Sequence, residues 1–223
     1  MDTKSDKILY LNIFTRILMS IFTAVAIIAI ATIIALNLRF IYIFIIDKYK
    51  LVNITGVSKA NLIIDYNELI NYLQNPFIES LKFENFTMSS YGEIHFLEVK
   101  RIFISLIVIA LVFIIANLFY IFLCKLKMRS SYKNIIKNLN SGSNILIIFF
   151  IILLATYVID FSKAFIIFHK IFFKNDYWIF DATIDPIINA LPEDLFMIYG
   201  AIILGIVILS SIIIKLINKK MPR

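Results

Sequence analysis

Four long apolar runs decide what this chain can fold into. They cover residues 17–38, 102–124, 145–168 and 195–214, and each approaches or exceeds the roughly 20 residues that span a hydrocarbon core. Asp160 and Lys163 interrupt the third run, but its first 15 residues are uncharged and its continuation A-F-I-I-F is apolar again. With a mean hydropathy of +0.91, the chain has more apolar surface than a soluble core of its size can bury. We predict an all-α integral membrane protein with four transmembrane helices, forming a single membrane domain over residues 1–223.

Charge in the connecting segments predicts the topology. Three bases, Lys4, Lys7 and Arg16, precede the first run. Five bases and no acid separate the second and third runs, and four bases follow the last run. By the positive-inside rule these segments face the cytoplasm, so both termini are cytoplasmic. Residues 47–101, with six bases and seven acids, and residues 169–194 then form a small extracytoplasmic cap.

The chain has two histidines, and the predicted topology puts both at the outer membrane surface. His95 lies seven residues before the second apolar run, which corresponds to about 10 Å of helix. His169 lies just beyond the outer end of the third run. Because histidine titrates near neutral pH, two imidazoles at one surface are candidates for proton transfer.

The predicted cap contains an amphipathic helix. Over residues 58–75 the apolar side chains recur at helical spacing, with Asp65 turned away from them, and the helix stops before Pro76. A turn at residues 90–92 leads into a helix that continues into the second span. On the inner side, S-G-S at residues 141–143 predicts a polar turn.

Several residues have an ordinary alternative explanation. Trp178 and Tyr177, with the phenylalanines around them, fit the aromatic belt of any membrane protein. Asp160 and Lys163 fit an ion pair near a helix end. Arg39 fits a boundary residue that extends its charge to the interface.

Other chemistries are excluded or left open by the residues that are present. Cys124 is the only cysteine, and its place at the inner end of a span excludes an intramolecular disulfide and a thiol nucleophile near the histidines. The sequence has no Walker loop, no H-E-x-x-H and no G-x-S-x-G. A zinc site of His95, His169 and either Glu98 or Asp176 stays open. The net charge of +7 reflects orientation and attraction to membrane lipids, and gives no reason to expect nucleic acid.

Two histidine-containing blocks carry a resemblance to a known family. They are S-S-Y-G-E-I-H-F-L-E-V-K at residues 89–100, with N-Y-L-Q-N upstream, and F-H-K-I-F-F-K-N-D-Y-W at residues 168–178, followed by D-P and P-E-D-L-F. Together they resemble the bacterial lipoprotein intramolecular transacylases, the Lit family. The resemblance covers most of the chain, although the spans match only in hydropathy. Where the family pattern H-x-x-D-V-K has Asp, this chain has Glu98.

The resemblance implies an acyl transfer within one lipid-modified protein, without a cofactor or a metal. The sn-2 acyl chain of the diacylglyceryl group would move to the α-amine of the same N-terminal cysteine and give a lyso-form lipoprotein. The substrates would be diacylated bacterial lipoproteins, and the active site would lie at the extracytoplasmic surface of the cell membrane.

The resemblance also implies roles for individual residues. His95 and His169 would be the general acid and base, in an order that the sequence leaves open. Glu98 and Asp176 would orient the imidazoles, and Arg39 or Lys100 would stabilise the oxyanion. The substrate pocket would be lined by aromatic side chains, namely Tyr91, Phe168, Phe172, Tyr177 and Trp178.

A second class of function fits the same features. Four spans and a small outer cap also suit a non-enzymatic accessory or scaffold subunit in which the histidines are interface residues, since a fold does not determine a function. Conversion of a diacylated lipoprotein by the purified protein would distinguish the two classes.

Overall fold

The computed structural model describes the backbone of residues 4–126 and 132–220 and the side chains of residues 13–123, 125, 135–148 and 159–220. Within these residues the chain is all-helical, as predicted, and contains no strand. The α-helices are α1 Lys4–Leu36, α2 Phe40–Lys48, α3 Leu51–Thr55, α4 Lys59–Gln74, α5 Ser90–Leu126, α6 Tyr132–Ile159, α7 Phe161–Phe172 and α8 Glu193–Lys220. A short 3₁₀ helix, Pro186–Ala190, precedes α8.

Three of the described helices are long and apolar enough to cross a membrane. They are Ile13–Leu36 in α1, Ser90–Leu123 in α5 and Glu193–Lys220 in α8. They correspond to the predicted spans 17–38, 102–124 and 195–214. All four prolines of the chain lie outside these helices, so nothing in them removes a backbone donor.

The predicted third span, 145–168, is not a single helix. α6 ends at Ile159 and α7 begins at Phe161, with Asp160 in an extended conformation between them. The Asp160 carboxylate accepts a hydrogen bond from the backbone N–H of Lys163 at 3.0 Å and pairs with its ammonium, so it caps α7. Hydropathy predicted one continuous span because an average over about 20 residues gives little weight to a single capping residue. The side chains of residues 149–158 lie outside the described residues, and the fourth crossing stays a prediction.

The chain divides into two compact units, of which unit 1 comprises residues 1–31, 108–155 and 203–223. In unit 1, α6 approaches α1 closely at Gly142, where a Cβ atom would lie 2.7 Å from the Thr23 side chain. The prediction of a turn at residues 141–143 was therefore wrong. These small residues lie inside α6 and allow close helix packing, as small residues do in membranes.

Unit 2 comprises residues 32–107 and 156–202, and it includes the predicted cap residues. Its core contains a stack of the Tyr42 and Tyr66 rings, with centroids 3.9 Å apart. The Tyr42 hydroxyl donates to the carbonyl of Ala190 at 3.1 Å, and the Tyr66 hydroxyl lies 2.7 Å from that of Tyr199. These contacts join α2, α4, the 3₁₀ helix and the start of α8.

The amphipathic helix predicted in the cap is α4. The Ser58 hydroxyl caps it by accepting from the Asn61 N–H at 3.3 Å, and the helix ends before Pro76. Asp65 is fully buried rather than turned away from the core. Its carboxylate accepts from the Glu84 N–H at 2.7 Å and from the Asn85 amide at 2.9 Å, so it holds the following loop against α4.

Candidate active site

Unit 2 brings the two histidines together. His95 lies one turn into α5 and His169 lies near the end of α7, and their ring centroids are 6.0 Å apart. Their side chains are nearly buried, with 6% and 8% of their surfaces exposed. Two imidazoles from segments 74 positions apart therefore share one enclosed space.

The start of α5 is held in place by Asp185. The carboxylate of Asp185 accepts hydrogen bonds from the backbone N–H and the hydroxyl of Ser89, at 2.6 and 2.7 Å. A Cβ atom at Gly92 would lie 2.7 Å from the same carboxylate, so glycine is needed for this approach. His95 follows one turn later and is thus positioned by the loop after α7.

The tautomer of His169 is set by its own helix. Its Nδ1 lies 2.7 Å from the carbonyl oxygen of Phe165, one turn earlier in α7. Because a carbonyl can only accept, Nδ1 carries the proton in this hydrogen bond. In the neutral imidazole the lone pair is therefore on Nε2, which is the form of a general base.

Aromatic rings enclose both imidazoles. Trp178 stacks on His169 with centroids 4.7 Å apart and an interplanar angle of 28°. Phe173 contacts both imidazoles, at 4.8 Å from His95 and 5.5 Å from His169. Phe165 lies 4.1 Å from His169, and Phe180 lies 5.5 Å from His95.

This aromatic enclosure changes the acidity of His169. Burial lowers the pKa of His169 below its ordinary value of 6.5, because a charged imidazolium loses hydration. The hydrogen bond with the Phe165 carbonyl favours the protonated ring and opposes part of that effect. The neutral form of His169 is therefore favoured at neutral pH.

Three buried polar atoms at this site have no hydrogen-bond partner among the described residues. They are Nδ1 of His95, Oε2 of Glu98 and Nε1 of Trp178. The other carboxylate oxygen of Glu98 accepts from the Asn175 amide at 2.9 Å. An unpaired buried polar group costs about 1–3 kcal/mol, so three of them around two imidazoles indicate a site built to receive a polar ligand.

The five aromatic residues predicted to line the pocket divide into two groups. Trp178 and Phe168 contact the His169 ring directly, with centroids 4.7 and 5.5 Å away. Tyr91 and Tyr177 stack on each other at 4.6 Å, while Phe168 and Phe172 contact each other at 4.6 Å and are 47% and 53% exposed. Contacts as close come from aromatic residues that the sequence did not single out for the pocket, namely Phe165, Phe173 and Phe180.

The two cations predicted to stabilise the oxyanion, Arg39 and Lys100, bind other groups in the structure. Arg39 donates to the side-chain oxygens of Asn67 and Asn71, at 2.9 and 2.8 Å. The Lys100 ammonium donates to the carbonyl of Ile78 and lies 4.3 Å from the centroid of the Tyr72 ring. Lys100 follows His95 by five residues, which places it about 140° around the helix from the imidazole.

The two predicted orienting carboxylates also differ from each other. Glu98 lies three residues after His95 on the same helical face, but its carboxylate accepts a hydrogen bond from Asn175 rather than from an imidazole. Asp176 is exposed, and within the described part of the chain its carboxylate makes no hydrogen bond or ion pair. Among residues 13–123, 125, 135–148 and 159–220, no three His, Cys, Asp or Glu side chains come together as a metal-binding group.

Sequence reasoning missed Asn175 and Asp185 as site residues. Both lie in the blocks N-D and D-P that follow His169, so a signal was present in the sequence. Their partners, Glu98 and Ser89, lie 77 and 96 residues away, and no local pattern connects them.

Comparisons with known proteins agree over most of the chain. A family profile described as lipoprotein intramolecular transacylase Lit matches residues 17–196. The chain is similar to the solved structure of the membrane integral lipoprotein intramolecular transacylase Lit from Bacillus cereus, with 33% identity, a TM-score of 0.80 and coverage of 94% of this chain and 95% of that chain. A histidine-to-arginine variant of that protein matches with 31% identity and a TM-score of 0.73, covering 97% and 96%. Among curated proteins the chain has no match.

Proposed function

Because the chain belongs to the family of lipoprotein intramolecular transacylases, Lit, which are transferases, we propose that it moves the sn-2 acyl chain of a diacylglyceryl cysteine to the α-amine of the same cysteine. The product is a lyso-form lipoprotein with one acyl chain on nitrogen and one on glycerol. Membership of an enzyme family sets aside the accessory-subunit alternative. The observation that carries the proposal is the pair of buried imidazoles, with ring centroids 6.0 Å apart. Beside them lie polar atoms that have no hydrogen-bond partner in the described part of the chain.

The proposed reaction balances within one substrate molecule. The ester C–O bond to the glyceryl oxygen breaks and the amide C–N bond forms. The α-ammonium loses two protons, of which one passes to the glyceryl oxygen and the other leaves to solvent. An amide is more stable than an ester, so no nucleotide is needed. The attack closes a ring of about eight atoms, which forms slowly unless the reacting ends are held together.

His169 is the proposed general base. Its Nδ1 proton is held by the Phe165 carbonyl, which leaves the Nε2 lone pair to take a proton. An α-ammonium has a pKa of about 8, so it must lose a proton before the nitrogen can attack. A neutral imidazole in an enclosed site is suited to that step.

His95 is the proposed general acid. Its ring lies 6.0 Å from that of His169, and its Nδ1 is buried with no partner in the described structure. The glyceryl oxygen leaves only when a proton reaches it. The buried His95 imidazole passes on to that oxygen the proton that His169 takes from the amine, so both imidazoles are neutral again after the transfer. The second imidazole therefore completes the proton transfer that the first begins.

Trp178 is the proposed donor to the oxyanion. An indole nitrogen can only donate, and Nε1 of Trp178 is buried beside the proposed base with no acceptor among the residues that the structure describes. The tetrahedral intermediate places a negative charge on the acyl oxygen, which such a donor stabilises. Trp178 thus takes the role that the sequence suggested for Arg39 or Lys100.

Glu98 is the proposed acceptor for the substrate amine. Its Oε1 is occupied by Asn175, while its buried Oε2 is unpaired among the described residues and lies one helical turn beyond His95. A carboxylate oxygen there can accept a hydrogen bond from the α-ammonium and hold it between the imidazoles. This explains an acid at position 98 without requiring it to orient a histidine.

The proposed site lies at the extracytoplasmic membrane surface. There the surrounding aromatic rings are proposed to hold the substrate in a bent conformation. Rigid rings around both imidazoles leave little space for an extended diacylglyceryl group. Confinement in this form raises the rate of an otherwise slow ring closure.

The test uses the purified protein in liposomes with a synthetic diacylglyceryl-cysteine peptide. Mass spectrometry of the peptide N-terminus should show the acyl chain on nitrogen, and an N-acetylated peptide should be unchanged. Activity should survive EDTA, whereas a loss that zinc restores would favour a metal site formed by the imidazoles. Binding of the peptide without any N-acylation would overturn the proposal.

A further inference from the structure

Unit 1 contains a crevice between α1, α5 and α6 with a volume of about 760 Å³. It is lined by one face of each helix, within residues 15–22, 113–120 and 135–141. The crevice lies in the unit that does not contain the imidazoles, and none of its lining residues belongs to the candidate active site. It therefore has no part in the proposed reaction.

The crevice is closed at one end by close helix packing. α1 and α6 meet where Gly142 faces Thr23, with the α6 backbone too close for a larger side chain. Arg16 lies seven residues before Thr23, and Lys137 lies five residues before Gly142. Both cations are thus on the same side of the crossing, at the open end of the crevice.

The chemical character of the crevice changes along its length. Arg16 and Lys137 supply two positive charges at the open end. Phe22 lies six residues along α1 from Arg16, a rise of about 9 Å, and packs edge to face on Phe113 at 5.8 Å. The crevice therefore offers cationic and amide groups at one end and hydrocarbon surface at the other.

Within the described side chains, neither Arg16 nor Lys137 has an acidic partner. Unit 1 has twelve lysines and arginines but only two acids, Asp2 and Asp6, whose side chains lie outside the described residues. Among the side chains that the structure describes, neither Arg16 nor Lys137 forms an ion pair. An anion is the ligand that would neutralise them.

We propose that this crevice binds a phospholipid with an anionic headgroup. The phosphate lies between Arg16 and Lys137, and an acyl chain runs along Met19, Phe22 and Phe113. Basic pockets between transmembrane helices bind acidic lipid headgroups in this way. A free phosphate would match only the cationic end, and a zwitterionic lipid would bring a positive charge to it.

The test measures lipid binding by the full chain in a non-ionic detergent. Phosphatidylglycerol should bind as a discrete adduct in native mass spectrometry and raise the unfolding temperature. Phosphatidylcholine and inorganic phosphate at the same concentration should do neither. Equal binding of the two lipids, or binding of inorganic phosphate alone, would overturn the proposal.

Charge-matched variants separate this site from general attraction to a basic surface. Arg16→Gln with Lys137→Gln should weaken phosphatidylglycerol binding about 30-fold, since each basic residue near a charged headgroup contributes roughly fivefold. Lys219→Gln with Lys220→Gln removes the same charge outside the crevice and should leave binding within about twofold. An equal loss in both double variants would show that no specific site exists.

A third variant fills the crevice without changing its charge. Ala116→Phe should abolish the lipid adduct while circular dichroism and gel-filtration elution stay as in the unmodified protein. Ala116→Ser, which adds one atom, should bind as the unmodified protein does. Full binding by a folded Ala116→Phe protein would contradict the assignment.

Discussion

The Asp185 carboxylate accepts hydrogen bonds from both the backbone N–H and the hydroxyl of Ser89, 96 residues earlier in the chain. The Ser89 hydroxyl in turn accepts from the backbone N–H of Gly92 at 3.0 Å, so it also caps the first turn of α5. One carboxylate thus connects the loop after His169 to the helix that carries His95. The distance between the imidazoles depends on this connection.

Loss of the Asp185 connection should reduce activity while the protein stays folded. Asp185→Asn keeps one acceptor for Ser89 but loses the second, so α5 and its imidazole shift. Because displacements near 1 Å cost about 100-fold in rate, we expect kcat to fall by roughly 10- to 100-fold. Acyl transfer would be followed by mass spectrometry. Asp181→Asn, which changes a nearby exposed carboxylate bonded to Thr183, is the control and should keep near-normal activity.

Removal of either imidazole should abolish detectable turnover. His95→Ala and His169→Ala each delete one proton-transfer group, and such groups typically contribute about 10² to 10⁴ in rate. Both proteins should still fold and enter the membrane. Cys124→Ser should keep full activity, although the Cys124 side chain lies outside the described residues. Near-normal conversion by both histidine variants would eliminate the two-imidazole mechanism.

The indole N–H of Trp178 should matter separately from its ring. Trp178→Phe keeps an aromatic ring against His169 but removes the unpaired donor. We expect kcat to fall about 100-fold with little change in KM, because the donor acts on the oxyanion and not on the bound ester. Tyr177→Phe, at the neighbouring position, is the matched control. A rise in KM alone would assign Trp178 to substrate binding.

The pH profile should show a base with a lowered pKa. Burial lowers the pKa of His169 below 6.5, so the midpoint of the acid limb of kcat/KM should lie below pH 6.5. In the same range the unfolded chain binds a proton that folded His169 does not. The free energy of unfolding should therefore fall as pH falls below about 6.5. Trp178→Ala opens the enclosure and should move the acid limb towards 6.5; an acid limb already at or above 6.5 would contradict this assignment.

The predicted topology can be tested by labelling cysteines in intact cells. In a Cys124→Ser background, cysteines at Lys59 and Asn189 should react with an impermeant maleimide. A cysteine at Lys133, whose side chain lies outside the described residues, should react only after the cells are opened. Labelling of Lys133→Cys in intact cells would reverse the orientation and place the imidazoles at the cytoplasmic side.

Hydropathy predicted the long helices because span length depends only on a sustained run of apolar residues. It failed at Asp160, where one capping side chain separates α6 from α7. The turn predicted from S-G-S composition was wrong at Gly142, where glycine and serine allow close packing inside α6. Local composition does not distinguish a small residue in a turn from one at a helix contact.

The candidate site was predictable in its histidines and less so in its other parts. Both histidines were predicted at the outer membrane surface, which indicated that they could lie close together. In the structure their ring centroids are 6.0 Å apart. The partners of Arg39 and Lys100 lie in α4 and the loop after it, and the partner of Glu98 lies in the loop after α7. The sequence did not place these segments beside one another. Asp65 shows the same limit, since its burial follows from hydrogen bonds to Glu84 and Asn85 across a loop.

The His169 imidazole takes its proton arrangement from Phe165, four residues earlier in the same helix. Any change that leaves α7 helical leaves that arrangement intact, whatever happens to α4, α5 or the loops. Damage elsewhere in the fold would then misplace the reacting atoms without reversing the direction of proton flow. The tautomer of His169 depends on the secondary structure of α7, while the distance between the two imidazoles depends on tertiary packing. A variant can therefore lose one and keep the other.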